Sequence, residues 1–373
     1  MNQPQAPGDP VRAVFDHRIF ATQNYGGISR YFAGIVPLLG QHGIAPRIVA
    51  PLHVNRYLGR LPSELVWGRR IADWRGARRL SLALGDALAR PLASLAGARI
   101  VHETYFGRDR LAPRGAGLVL TVYDMIHELY ADEIGDAATR AAKAAAIARA
   151  DRILCISQST LNDLVRFYPE AEGRARVTLL GFDAATFVPR ATAAGPGRRP
   201  YLLHVGQRAT YKNFSGLLGA YARSARLRAE FDLVCGGGQP FTAAERGTIA
   251  AQGLAGQVRH VAADDAALAA LYAGAALFVY PSLYEGFGIP PLEAMAAGCP
   301  VVAVRASSVP EVCGEAAHYA QDGSSEALGL SIEAVVWSPS RQATLRAAGT
   351  EQLKGFTWER TAAQTAACYR ELA

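Results

Sequence analysis

Short, almost unbroken apolar runs recur along this 373-residue chain, separated by stretches with alanine at helical spacing. In the first half the runs are VRAVFD (11–16), RIVA (47–50), RIVH (99–102), LVLTVYD (118–124), RILCIS (152–157) and RVTLL (176–180). The second half repeats the theme with YLLHVG (201–206), DLVCGG (232–237), QVRHV (257–261), ALFVYPS (276–282) and PVVAV (300–304). A strand wetted on one face alternates apolar and polar residues. Strands that do not alternate belong in a parallel sheet covered by helices on both sides. Segments such as 28–40 and 136–150 supply those helices. Two such series predict an α/β chain of two doubly wound domains, and the length exceeds what one core accommodates.

Between the series lies PRATAAGPGRRP (189–200), with three prolines, two glycines and no periodicity, which reads as an exposed linker. The expected division is an N-terminal domain over 1–190, a linker over 191–200, a second domain over 201–355 and a terminal helix over 356–373, with Thr357 as its N-cap. In open parallel sheets ligands bind beyond the carboxyl ends of the strands. The loops after residues 16, 102, 124, 206, 237, 261 and 282 are therefore where chemistry belongs, and the unusual residues cluster there.

The stretch PSLYEGFGIPPLEAMAAGCPVV (281–302) holds Glu285 and Glu293 in a run otherwise glycine, proline and apolar. A carboxylate buried without a partner costs several kcal/mol or takes up a proton. Gly286 and Gly288 open the strand end, Pro290 and Pro291 suit a first helical turn, and Glu293 is expected in that turn, near the positive helix end. Helix capping by Glu293 and a solvated loop position for Glu285 are the bland alternatives. The motif EGFGIPPLE resembles the E-x7-E signature of retaining glycosyltransferase family 4, which has the GT-B fold. That resemblance implies two Rossmann-like domains facing across a cleft, with the C-terminal helix returning to the first domain. It also implies that Glu293 holds the ribose of a nucleotide sugar. Glu285 then meets the donor sugar, helped by Gly286, Phe287 and Gly288. The hydroxyls of such a ligand would donate to both carboxylates in place of water.

Three further segments extend the resemblance. HVGQRATYKN (204–213) looks like the family's diphosphate loop, in which Gly206, Arg208 and Lys212 serve the donor. Cations placed in advance stabilise the charge a departing diphosphate gathers. An ordinary charged surface loop is the alternative. ATQNYGGISRYF (21–32) carries Gly26–Gly27 before a helix, a backbone that admits an anion. The resemblance puts Gly27 on the donor diphosphate, and GGISRY is similar to a branch that builds bacterial polysaccharides, including lipopolysaccharide. VHETYF (101–106) and TVYDMIHE (121–128) bring His102, Tyr105, Asp124 and His127 to strand ends. Relatives carry His-Asp where this chain has Tyr123–Asp124, so His127 is the candidate imidazole beside the donor sugar. His102, Tyr105 and Asp124 are acceptor-side candidates. Core or surface histidines are the alternative for both imidazoles.

Composition narrows the classes. Net charge is +7, from 39 basic and 32 acidic residues, and Lys143, Lys212 and Lys354 are the lysines. An excess of positive charge suits phosphate-bearing partners. Zinc fingers, basic heptads and aromatic-laced basic stripes are absent, which argues against nucleic acid. The five cysteines include no close pair and suit a reducing cytoplasm. The start MNQPQAPGDPVRAVF lacks the pattern of a secretory signal, and no apolar run is long enough to span a membrane. ADDAALAALY (263–272) reads as a helix capped by Asp265 rather than a metal site, and the resemblance implies no bound metal or other cofactor. WGRRIADWRGARRLSLALGDALARPL (67–92), if helical after 76, sets Ala77, Leu80, Leu84 and Leu88 on one face and Arg75, Arg78, Arg79 and Arg90 mainly elsewhere. Ordinary packing against the protein and contact with anionic lipid are both open.

The resemblance implies a retaining hexosyltransferase that moves a sugar, with mannose the first choice, from a GDP- or UDP-linked donor to a glycan or lipid-linked hydroxyl. It would work in the cytoplasm or peripherally on the inner face of the plasma membrane. A nucleotide-sugar epimerase and a non-catalytic nucleotide-sugar-binding subunit of the same fold are the alternatives.

Overall fold

The computed structural model describes residues 9–188 and 199–373. The expected linker over 191–200 lies outside them apart from Arg199 and Pro200. The chain divides into two compact units, Met1–Gly181 with Trp358–Ala373, and Phe182–Thr357. The first unit thus closes at Gly181 rather than at 190.

The first unit is built on seven parallel strands: β1 (Val11–Phe15), β2 (Ile44–His53), β3 (Val66–Arg70), β4 (Ile100–Glu103), β5 (Gly117–Val122), β6 (Arg152–Cys155) and β7 (Ala175–Val177), ordered β3-β2-β1-β4-β5-β6-β7. Its last helix, Trp358–Arg370, starts directly after Thr357, the expected N-cap position, and packs within this unit. Thr361 Oγ1 donates to the Leu179 carbonyl at 2.8 Å, and Arg370 donates to the His42 carbonyl at 2.8 Å. The Trp358 ring lies so close to Gly34 and Gly181 that a Cβ at either would sit under 3 Å from it. Glycine is required at both because an indole occupies that space.

Strand β3 was invisible in the sequence because VWGRR is an edge strand whose last three residues are exposed. A Cβ on Gly68 would collide with the Ala50 carbonyl of the neighbouring strand. The helix Ala77–Leu95 follows, and here the expected face changes. It buries Ala77, Ser81, Gly85, Ala89 and Ala93, a stripe small enough to lie close on β2, and leaves Leu80, Leu88 and Leu95 exposed. Leu84 is half-buried beside them.

The second unit has six parallel strands: β8 (Tyr201–Val205), β9 (Asp232–Gly236), β10 (Val258–Val261), β11 (Leu277–Tyr280), β12 (Val301–Val304) and β13 (Ala317–Ala320), ordered β10-β9-β8-β11-β12-β13. AHYA, with its inner pair half-buried, is too short and mixed to announce β13 in the sequence. Leu202, Leu233, Leu277, Val279 and Val302 from the strands pack on Leu217, Tyr221, Leu328 and Ile332 from the helices. In both units the strand order reverses direction beside the first strand, between β1 and β4 and between β8 and β11. A crevice opens at such a switch point because the connections on either side depart to opposite faces. The loops after β1, β4, β8 and β11 are therefore the ones to inspect.

Candidate active site

In the second unit the loops after β8 and β11 lie side by side, tied by the Leu283 N–H donating to the Tyr211 carbonyl at 2.8 Å. Gly206 leaves β8 at φ 115°, a conformation that excludes an ordinary side chain. The turn Thr210–Lys212 ends in Asn213 at φ 53°, whose amide donates to the Gly323 carbonyl at 2.8 Å. Lys212 is thereby aimed at Glu285, and its Nζ lies 2.7 Å from each carboxylate oxygen. The buried Glu285 carboxylate has its partner: a lysine that is itself 21 % exposed.

The backbone around Glu285 is held from behind. Its N–H donates to Ser307 Oγ at 2.8 Å, while Ser308 Oγ donates to the carbonyls of Glu285 and Phe287 at 2.9 and 2.8 Å. The Ser307–Ser308 pair is the scaffold of the glutamate loop. Gly286 is buried, and Gly288 at φ 106° turns the chain into the helix Ile289–Ala296. Phe287 is also buried, its ring edge-on to Phe356 at 5.6 Å, so its backbone is what it can offer a ligand.

Glu293 is the fifth residue of that helix, not a member of its first turn. Its Oε2 accepts from the Tyr272 hydroxyl at 2.9 Å. Burial and the neighbouring Glu293 charge push the Tyr272 hydroxyl well above its ordinary pKa, so it stays a donor. Burial and Glu285 do the same to Tyr280. Both carboxylates thus rest on phenols that hold their protons.

Arg208 is not a charge on an ordinary surface loop: its side chain is 5 % exposed and bound to Glu245 at 2.6 Å. Helix Asp265–Gly274 is capped by Asp264, which accepts from the Ala267 N–H, and not by Asp265. Among the described residues no group of three or more His, Cys, Asp and Glu side chains is arranged to hold a metal ion.

The first unit uses its switch point otherwise. Asp16, at the end of β1, accepts from the Thr104 N–H at 3.0 Å and lies 3.3 Å from Arg18. Glu103, at the end of β4, is fully buried and 2.5 Å from Arg149. His102 is not an acceptor contact. It is fully buried, with its ring nitrogens 2.6 Å from the Tyr369 hydroxyl and 2.8 Å from Thr121 Oγ1, and burial lowers its pKa from 6.5 to about 3. It is a neutral core histidine.

The other candidates of this unit stay near the strand ends. Gly27 begins the helix Gly27–Ile35 with open space where a Cβ would be. Gln23 covers that helix start, accepting from the Ser29 N–H at 3.3 Å. Tyr123 is buried and donates to the Thr104 carbonyl at 3.0 Å. Tyr105 is half-buried against Phe106, and burial followed by the Asp124 charge raises its pKa. Asp124 accepts from the Ile126 N–H at 3.1 Å. His127 sits on the single turn Ile126–Leu129, half-buried, its Nδ1 without a hydrogen-bond partner among the described residues. Lys143, fully buried, fixes that turn by donating to the Asp124 carbonyl at 3.1 Å and to Glu128 at 2.7 Å.

Residues 25–186 match the family described as Glycosyltransferase Family 4, and residues 190–352 match Glycosyl transferases group 1. The O-antigen chain mannosyltransferase B of Escherichia coli is 32% identical over 239 residues, covering 59% of this chain and 60% of that protein. This chain spans less than two thirds of that relative's length. Among solved structures, sucrose-phosphate synthase from Thermosynechococcus elongatus superposes with a TM-score of 0.74 at 20% identity, covering 97% of this chain and 99% of the other. HepE from Anabaena, in complex with UDP and glucose, gives 0.69 at 16% identity, covering 97% and 100%. At those identities the likeness shows the fold, two parallel-sheet Rossmann-like units of the GT-B type.

Proposed function

This chain belongs to the glycosyltransferases that join a family 4 domain to a group 1 domain, and from that premise we propose that it transfers a sugar from a nucleotide-sugar donor to a hydroxyl acceptor with retention of configuration. The observation that carries the reading is the pair of buried carboxylates at the β8/β11 switch point, each resting on a partner that a ligand can share. Lys212 is released from Glu285, or bridges it to the donor, when the diphosphate arrives. Glu285 and the backbone of Gly286, Phe287 and Gly288 then receive the sugar hydroxyls, and Glu293 receives the ribose. The acceptor oxygen forms the new bond to the anomeric carbon as the bond to the diphosphate breaks. The acceptor proton passes to the leaving phosphate oxygen on the same face. No protein carboxylate acts as a covalent nucleophile. Tyr105 and Asp124 of the first unit serve the acceptor side, and His127 is the imidazole beside the donor sugar.

The mannosyltransferase relative favours mannose as the sugar, and the proposed donor is GDP-mannose, with UDP-sugars as the other donor class and a glycan or lipid-linked acceptor of polysaccharide assembly. The relatives are glycosyltransferases, and nothing in them favours the epimerase alternative. A cytoplasmic protein resting peripherally on an anionic membrane fits the helix Ala77–Leu95. Its exposed Leu80, Leu88 and Leu95 follow one another along the helix, whose N-terminal end carries Trp74, 54% exposed, and Arg75, Arg78 and Arg79. No helix among the described residues is long and apolar enough to cross a membrane. The test is a donor screen reading nucleoside diphosphate release with and without a panel of lipid-linked and glycan acceptors. Acceptor-dependent release from a GDP- or UDP-sugar supports the proposal. Donor binding with no release under any acceptor would make the chain a binding subunit.

A further inference from the structure

The guanidinium of Arg208 is clamped before any ligand arrives. Its Nε donates to Glu245 Oε1 at 2.6 Å, and its Nη2 donates to the carbonyls of Gln239 and Pro240 at 2.6 and 3.2 Å. The rings of Phe214 and Phe241 lie 5.8 and 4.9 Å from Cζ. Nη1 alone is left, buried and with no hydrogen-bond partner among the described residues. Glu245 is fixed in turn. It is the third residue of the helix Ala243–Ala251, and its Oε2 accepts from the Thr242 N–H at 2.6 Å while Thr242 Oγ1 accepts from the Glu245 N–H at 3.2 Å. The capping box that starts this helix therefore also sets the angle of the arginine. The pair also lines a cavity of about 260 Å³ with Thr210, Ser215 and Thr248.

We propose that Glu245 is a positioning residue for the transfer reaction: it holds Arg208 so that the two Nη1 hydrogens are kept for the donor diphosphate. This rests on the second unit being the donor-binding unit. A carboxylate beside an anion site weakens it by charge alone. Its presence is explained if orientation matters more, since a cation that need not reorganise stabilises developing charge most effectively. The two effects have opposite signs. If Glu245 were a bystander, removing it would tighten nucleotide binding and leave turnover alone. If it positions Arg208, removing it slows turnover.

The experiment uses the full chain, GDP-mannose turnover with the acceptor panel, and calorimetric titration with GDP. Glu245→Ala is expected to lower kcat by about tenfold or more, with a smaller change in KM, and to add nothing in an Arg208→Ala background. Thr242→Ala, which breaks the other half of the capping box and leaves the ion pair, should stay near wild type. Glu245→Gln, which preserves the box, is the second variant should Glu245→Ala fold poorly, and it should also slow turnover. Equal losses in Thr242→Ala and Glu245→Ala would reduce Glu245 to a helix cap and overturn the proposal. So would tighter GDP binding with unchanged kcat, or additivity with Arg208→Ala. If GDP still binds and Glu293→Ala abolishes that binding while Arg208→Ala turns over normally, only this proposal fails. If neither GDP nor UDP binds at all, the donor reading fails with it.

Discussion

The two units thread their strands in the same order and open the same kind of switch point, yet they fill it with opposite kinds of chemistry. In the first unit the charges at the strand ends are committed to the fold: Asp16 to Thr104 and Arg18, Glu103 to Arg149, and the His102 ring to two hydroxyls. In the second unit Lys212 and Glu285 hold each other across two loops, and Glu293 accepts from the Tyr272 phenol, with the lysine still partly open to water. One topology therefore provides a crevice without deciding its use. What decides is whether the polar groups there have alternatives to a ligand.

That contrast breaks first at Arg149. Arg149→Ala strips the fully buried Glu103 of its closest cation, and breaking a buried pair in this way costs about 3–5 kcal/mol. Chemical denaturation should show that loss, with GDP affinity of the folded fraction unchanged. A variant of wild-type stability would mean that the first unit's network is not structural. Next comes Lys212→Ala, expected to lower turnover by roughly 10²–10³ with the fold intact, the scale for losing one transition-state contact. Near-normal turnover at saturating donor would leave the lysine no role in departure of the diphosphate.

His102→Gln sharpens the comparison through pH. The folded pKa of His102 lies at about 3, below its ordinary 6.5. The unfolded chain therefore takes up the proton first as pH falls. The stability this neutral ring contributes is complete above 6.5 and drains away towards 3. The variant should be less stable at pH 7 by about 1–3 kcal/mol, yet decline less steeply with acid between those limits. Parallel stability curves for the two proteins would refute the linkage. The smallest effect belongs to the outer face of the first unit. Replacing Arg75, Arg78 and Arg79 with glutamine should reduce co-sedimentation with anionic vesicles at low salt by roughly tenfold, and by little at high salt. Arg78 is already paired with Asp73 at 2.7 Å, which limits its share. Wild-type protein that ignores such vesicles at low salt has no membrane face here.

Sequence carried the architecture and the second unit's site better than the first's. The apolar runs located every strand but β3 and β13, whose partial exposure and brevity erase the pattern. Glu285, Glu293 and Lys212 stood out because charged residues among glycines and apolar neighbours need a reason. His102 misled because a strand-end histidine reads the same whether its ring meets a ligand or a core tyrosine 267 positions later. Tyr272 acts on Glu293 through a contact 21 positions away and left no local signal. Glu245 did leave one: TAAE (242–245) has the spacing of a capping box, although nothing local shows that the same carboxylate grips Arg208. The face of helix Ala77–Leu95 was misassigned because leucines outweigh alanines in any periodicity, while close packing on a strand selects the small residues.

The account stands or falls on the second unit being the donor unit, and calorimetric titration with GDP and UDP tests that most directly. Wild-type protein should bind one of them. Glu293→Ala should lose most of that affinity, Glu285→Ala much less, and His127→Ala none. Undiminished binding in Glu293→Ala, or binding lost in His127→Ala, would place the nucleotide elsewhere and contradict the division of labour between the two units.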